Sequence, residues 1–202
     1  MRAVLDGRRT IGLVDGTFES GPAVWHKEIL FALAAGCRVL GAASMGALRA
    51  AECWQDGMIG VGTIFEDYRS GRRSADADVA LVYGPAELGY IPCSVPLVDV
   101  DDVAARARLA GVIDMAEAAA LNAASRRLHF KLRSWDAVLE GFDARVRSRI
   151  MAWLAGDGPG AKSRDAQALI DQLILPGTGP GRVPSAFLHT QFSSRLLSSL
   201  RA

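Results

Sequence analysis

Arg38-Val-Leu-Gly-Ala-Ala-Ser-Met-Gly-Ala-Leu-Arg-Ala-Ala-Glu-Cys-Trp54 is the stretch that decides the fold. Arg38 to Ala42 is short and mostly apolar, the pattern of a buried strand. Ala43 to Gly46 is a turn of mostly small residues, and Ala47 to Trp54 is a strong helix-forming run closed by Gly57. Upstream, Thr10-Ile-Gly-Leu-Val14 is a second short run rich in β-formers that stops at Asp15-Gly16, as a buried strand ending in a turn does. Between the two, Pro22 at a first helical position, Trp25, Ile29, Leu30 and Leu33 at helical spacing, and Gly36 as a stop predict a helix of about four turns. A crossover of that length between short buried strands implies parallel pairing with a right-handed connection. Residues 10–57 therefore read as a β-α-β-α unit.

Working outward, Asp78-Val-Ala-Leu-Val-Tyr83 and Pro96-Leu-Val-Asp-Val100 read as two more strands. From Asp101 to Leu154 the chain is Ala-rich and charged, with Val103, Ala107, Leu121, Leu128 and Leu139 at helical spacing and no convincing strand. Pro/Gly punctuation at 156–160 and 176–181 divides off helices around Asp165 to Leu175 and Ala186 to Leu200. The expected fold is α/β: a parallel-sheet core of about four strands with flanking helices in residues 1–100, followed by a helical half, residues 101–202, packed on that core.

The bulk properties narrow the function. With 202 residues, 50% hydrophobic and 22% charged, the chain is globular, neither disordered nor fibrous. Lys+Arg 23 against Asp+Glu 22 leaves a formal charge of +1, which supplies no general field to hold nucleic acid or an anionic membrane. Three widely spaced cysteines, Cys37, Cys53 and Cys93, make neither a disulfide framework nor a zinc motif and fit a reducing cytoplasm. No secretion signal and no run of roughly 20 apolar residues is visible, so a soluble cytoplasmic protein is expected, with no metal and no cofactor suggested.

Ligands of a parallel sheet bind at the carboxyl ends of its strands. Asp15 ends the first strand there, His26 and Lys27 open the next helix, and Ser44 lies in the turn after the second strand. Ser44 is the sharpest signal, because strand, small-residue turn and helix approximate a nucleophile elbow, with Ala42 where the usual motif has glycine. The Met45 and Gly46 N–H groups and the helix dipole would face an oxyanion there. The plainer reading is that Ser44 caps the helix. His26 shares the face of Ile29, Leu30 and Leu33, hence is expected to point inward, either as a core histidine or as the base a serine needs, and Lys27 leans to the polar side, either as a solvated residue or as the alternative base. Asp15 orients the base, contacts substrate or makes a turn. Arg49 and Glu52, three apart on the following helix, pair across one face.

These words together resemble a family. Ile11-Gly-Leu-Val-Asp-Gly-Thr-Phe18, Pro22-Ala-Val-Trp-His-Lys-Glu-Ile-Leu30, Gly41-Ala-Ala-Ser-Met-Gly-Ala-Leu-Arg-Ala-Ala-Glu52 and Gly57-Met-Ile-Gly-Val-Gly62 are similar to the TfuA-like core domain, from about Thr10 to Val100, with a late echo at Lys162-Ser-Arg-Asp-Ala166. The resemblance implies a partner of YcaO-family proteins in peptide-backbone thioamidation, as in thioamidated ribosomal peptides. It implies hydrolysis of the C-terminal thiocarboxylate of a ubiquitin-like sulfur carrier, releasing sulfide for the YcaO partner and assisting its binding of the precursor peptide. On the matching positions Ser44 becomes the nucleophile, His26 and Lys27 the base candidates, and Asp15, Met45, Gly46, Arg49 and Glu52 the substrate contacts. The rival expectation is a non-catalytic adaptor that binds YcaO and its peptide, with Ser44 as a cap.

Overall fold

The computed structural model describes residues 1–15, 23–158, 160–174 and 198. In chain order its first elements are α1 (Arg2–Leu5), β1 (Thr10–Leu13), α2 (His26–Ala34), β2 (Arg38–Gly41), α3 (Met45–Cys53), β3 (Ile59–Gly60) and α4 (Thr63–Arg69). There follow α5 (Leu97–Leu109), α6 (Met115–Arg127), α7 (Trp135–Val138), α8 (Ala144–Gly156) and α9 (Ala161–Ile174). The chain divides into two compact units, residues 1–74 with 164–202 and residues 75–163.

The first unit is built on a parallel sheet in the order β1-β2-β3. Thr10 pairs with Arg38 through to Leu13 with Gly41, and Leu40 and Gly41 pair with Ile59 and Gly60. Central β2 is buried along Val39, Leu40 and Gly41, which is why its sequence is continuously apolar rather than alternating. Helix α2 is shorter than the expected four turns: Trp25 stays extended, and the Glu28 carboxylate accepts the Trp25 N–H at 3.2 Å, so the first helical residue is His26. It ends as expected, with Gly36 at φ +78°.

From α9, Leu169 is buried in the cluster that contains Leu40, Ala42, Ala43 and Val61. The same helix caps α4, because buried Asp165 accepts Ile64 N–H at 2.8 Å, Thr63 N–H at 3.1 Å and the Thr63 hydroxyl at 3.4 Å. Burial pushes the Asp165 carboxyl above the ordinary aspartate value, against those hydrogen bonds and nearby Arg164. Gly62, at φ +92°, is required at this joint, since a Cβ there would lie 2.1 Å from the Asp165 carboxyl carbon.

The two strands expected at 78–83 and 96–100 do not form, and the sheet of the described residues has three strands rather than four. Asp76–Asp78 is a 3-10 turn, and Tyr83 makes only an isolated antiparallel bridge with Pro92. Pro96 is the N-cap of α5, whose Leu97, Val100, Val103, Ala104 and Ala107 are all buried at helical spacing. Leu97 to Val100 is too short a window to reveal that period. The third strand is Ile59–Gly60, set between Gly57 and Gly62, both at positive φ. The helical second half is as expected as far as Ile174, and the helix predicted around Ala186 to Leu200 lies outside the described residues apart from Ser198.

The second unit is helical around Val100, Ala104, Ala107, Leu121, Val138, Leu139 and Ile150. Asp114 opens α6 by a capping box with Glu117, with bonds of 2.8 and 2.9 Å. Arg133 is buried and its guanidinium donates to three carbonyls: Ser125 at 3.0 Å, Leu128 at 3.1 Å and Val95 at 3.3 Å. Burial pulls this guanidinium below its ordinary value, against the nearby Asp78 and Asp101 carboxylates. Arg133→Met keeps most of the volume but leaves three carbonyls unsatisfied, so urea denaturation should show a loss of about 2–3 kcal/mol. A midpoint unchanged from wild type would mean that water replaces the guanidinium at no cost. No helix among the described residues is long and apolar enough to cross a membrane.

Candidate functional site

The sharp turn from β2 into α3 is held by two glycines packed against backbone. A Cβ on Gly41 would lie 2.1 Å from the Gly46 carbonyl oxygen, and one on Gly46 would lie 1.9 Å from the Leu13 carbonyl oxygen. Between them Ala43 adopts φ +68°, the left-handed region that a side chain rarely occupies, and Ser44 sits at φ −133°, ψ −116°. The Val14 carbonyl accepts both Ser44 N–H and Gly46 N–H at 3.2 Å, tying the end of β1 to the turn. Asp15, the next residue, therefore starts beside the Ser44 turn, and its side chain is exposed. Ser44 is the N-cap residue of α3 by position, but its side chain makes no capping hydrogen bond. Its hydroxyl is thus not used to satisfy the helix N–H groups, and the residue is 5% exposed. Of the two oxyanion donors named from sequence, Gly46 N–H is engaged by Val14, whereas Met45 N–H meets no acceptor among the described residues.

A second group of side chains gathers where the start of α2 meets the outer face of α3. His26 Nε2 lies 2.7 Å from Glu52 Oε2, and Arg49 Nη1 donates to the same oxygen at 2.6 Å. Arg49 Nε also donates to the Val24 carbonyl at 2.8 Å. The Arg49–Glu52 pairing expected from their spacing is present. Contrary to the expected inward orientation, the His26 side chain is 51% exposed. At the first turn the Cα–Cβ bond leans past the helix start, so sharing a face with Ile29 and Leu33 does not bury it.

Trp25, His26, Lys27 and Arg49 line an open cleft of about 370 Å³. Lys27 is exposed there. Trp25 is 47% exposed, although its spacing to Ile29 suggested a core residue; the aromatic wall of this cleft had no signal of its own in the sequence. Along α3, Arg49 and Glu52 stand five and eight residues beyond Ser44, about 7.5 Å and 12 Å at the helical rise. His26, Arg49 and Glu52 are thus brought together, one to two turns along the helix from Ser44.

The cysteines separate into two environments. Cys37 and Cys53 are buried and Cys93 is exposed. Burial pushes the Cys53 thiol up to about 11, with Asp56 and Glu52 adding to the shift and Arg49 opposing it. Iodoacetamide at pH 8 should therefore modify one thiol per folded chain, at Cys93, and three after denaturation; mass spectrometry of the labelled peptides checks this. Early labelling of Cys53 would show that the end of α3 opens readily.

The geometry defines a class, a parallel α/β unit whose second strand turns sharply into a helix with a serine at its start. Residues 15–134 match the family described as TfuA-like protein, and the chain belongs to that family. The match reaches past Val100, where the sequence resemblance fades, into the helical second unit. The family is associated with YcaO-dependent thioamidation. No curated protein matches the chain.

Proposed function

We propose that this TfuA-like protein is a sulfide-releasing hydrolase that acts on the C-terminal thiocarboxylate of a ubiquitin-like sulfur carrier and supports YcaO-dependent thioamidation of a ribosomal peptide. The observation that carries this reading is the turn at Ser44: a serine behind a left-handed alanine, at the start of a helix, with its hydroxyl not spent on capping. In the proposed reaction Ser44 Oγ bonds to the acyl carbon while its proton passes to a base, His26 or Lys27. The C–S bond then breaks, sulfide leaves, and water hydrolyses the serine ester. The balance is RCOS⁻ + H₂O → RCOO⁻ + H₂S. Met45 N–H and the α3 dipole stabilise the oxyanion, and Asp15, Gly46, Arg49 and Glu52 shape the surface that receives the carrier tail.

The test is sulfide released from a thiocarboxylate-ended carrier by the purified protein. Release above the spontaneous rate is expected, and none above it would overturn the proposal. One observation favours the adaptor reading, in which the chain only binds YcaO and the precursor peptide: Ser44 is 5% exposed, little for a nucleophile. That reading predicts no sulfide, and tighter binding of the peptide by YcaO when this chain is added.

A further inference from the structure

In the second unit, the loop from Val82 to Cys93 carries large apolar side chains outward on a closed frame. Tyr83 bridges Pro92 antiparallel, Gly84 N–H donates to the Ile91 carbonyl at 2.8 Å, and Cys93 N–H donates to the Val82 carbonyl at 2.7 Å. Buried Ser94 accepts the Val82 N–H at 2.8 Å through its hydroxyl oxygen. At the tip the Pro85 carbonyl accepts both Leu88 N–H at 3.0 Å and Tyr90 N–H at 3.3 Å. On this frame Leu88 is 59% exposed, Tyr90 63% and Ile91 52%. Tyr90 also sits at φ +56°, a left-handed conformation that costs a residue with a Cβ more than it costs glycine. Its side chain stands mostly in solvent and recovers little of that cost by burial, so a tyrosine at this place serves the fold little.

Leu88, Tyr90 and Ile91 together leave on the order of 300 Å² of mostly apolar surface accessible, the size of the largest such patch on an ordinary monomer. Two copies meeting through this loop alone would bury roughly 600 Å² in total, short of the about 1,000 Å² that marks a specific interface. A projecting loop already held in shape instead fits a groove on a different protein, which it enters with little ordering cost. The loop lies inside residues 15–134, the part of the chain that matches the TfuA-like family, and that family is associated with YcaO. We infer that residues 85–91 are a docking knob for an apolar groove on the YcaO-family partner, with Tyr90 as its central anchor. The inference rests on the proposed YcaO partnership, which the hydrolase and adaptor readings share, and not on the chemistry at Ser44.

The test is calorimetric binding of the full chain to the YcaO-family protein of the same organism, beside sulfide release from the carrier. Tyr90→Ala and Ile91→Asp should each weaken the complex at least about tenfold, the effect of losing an interface anchor. Tyr90→Gly should weaken it as much while its thermal midpoint stays at or above that of wild type, because relief of the left-handed strain offsets the added freedom of glycine in the unfolded chain. A folding defect cannot produce that pair of results. Sulfide release by all three variants should equal that of wild type. Cys93, exposed two residues beyond Ile91, should react more slowly with iodoacetamide once the partner is bound. Variants that bind YcaO like wild type overturn the knob and leave the partnership standing. A Tyr90-dependent dimer of this chain, or Tyr90-dependent binding to phosphatidylcholine vesicles, in place of the complex also overturns it. No binding of YcaO by wild type overturns the partnership and the knob together, whereas weakened binding by the variants of a protein that releases no sulfide overturns the hydrolase alone.

Discussion

Gly46→Ala should cost about 3 kcal/mol or more and leave the first unit largely unfolded in moderate urea. The new Cβ would lie 1.9 Å from the Leu13 carbonyl oxygen and 2.5 Å from its carbon, and these are backbone atoms that cannot rotate away. Helix α3 would have to lift from β1, and the lift would strain the bonds from Ser44 N–H and Gly46 N–H to Val14 and from Ala42 N–H to Leu13. It would also loosen the packing of Ala47, Leu48, Ala50 and Cys53, the buried face of α3. Overpacking alone costs about 1–3 kcal/mol and each strained hydrogen bond adds to it, against a total stability on the order of 5–15 kcal/mol. Gly156→Ala is the contrast: no atom lies within 4 Å of its added Cβ and φ is ordinary, so its midpoint should stay at or slightly above wild type. A Gly46→Ala midpoint equal to that of Gly156→Ala would show that the turn can relax and that the fold does not depend on the close approach of α3 to β1.

That turn was legible in the sequence because every level of structure agrees there. β2 is apolar and buried from Val39 to Gly41, α3 follows after a three-residue turn, and the small residues between them are the ones that close packing demands. Elsewhere local pattern and tertiary context part. Leu97-Val-Asp-Val100 reads as a short apolar strand, but Pro96 starts a helix whose buried residues run on to Ala107, so its period appears only over several turns. Ile59–Gly60 is a strand through its pairing with Leu40 and Gly41, and two residues have no period to read. Asp165 gave no sign of capping α4, because Thr63 and Ile64 lie a hundred residues away in sequence. In the candidate site, the Arg49–Glu52 pair followed from spacing alone. The exposure of His26 and Trp25 depended instead on where α2 begins, which the Trp25–Glu28 bond fixes.

Ser44→Ala should reduce sulfide release at least about 10³-fold while lowering the thermal midpoint by no more than about 4 °C, the scale of one hydrogen bond. The rate effect follows from the role: without Oγ no acyl-serine forms, and what persists is whatever the helix dipole, Met45 N–H and tail binding provide to a water molecule. The stability effect follows from the geometry. Loss of a capping serine costs about 1 kcal/mol, but here the side chain makes no capping bond, and alanine at φ −133° keeps the same Cβ without strain. The two readouts together separate the two readings of this residue. A lost rate with no larger shift than that identifies the hydroxyl as chemical. A lower midpoint with sulfide release within tenfold of wild type makes Ser44 a structural residue of the turn, and the base candidates His26 and Lys27 would then have to act on water directly. That outcome would move the reacting atoms along α3 toward the His26–Glu52 pair, where Arg49 and Trp25 already form the walls of the cleft.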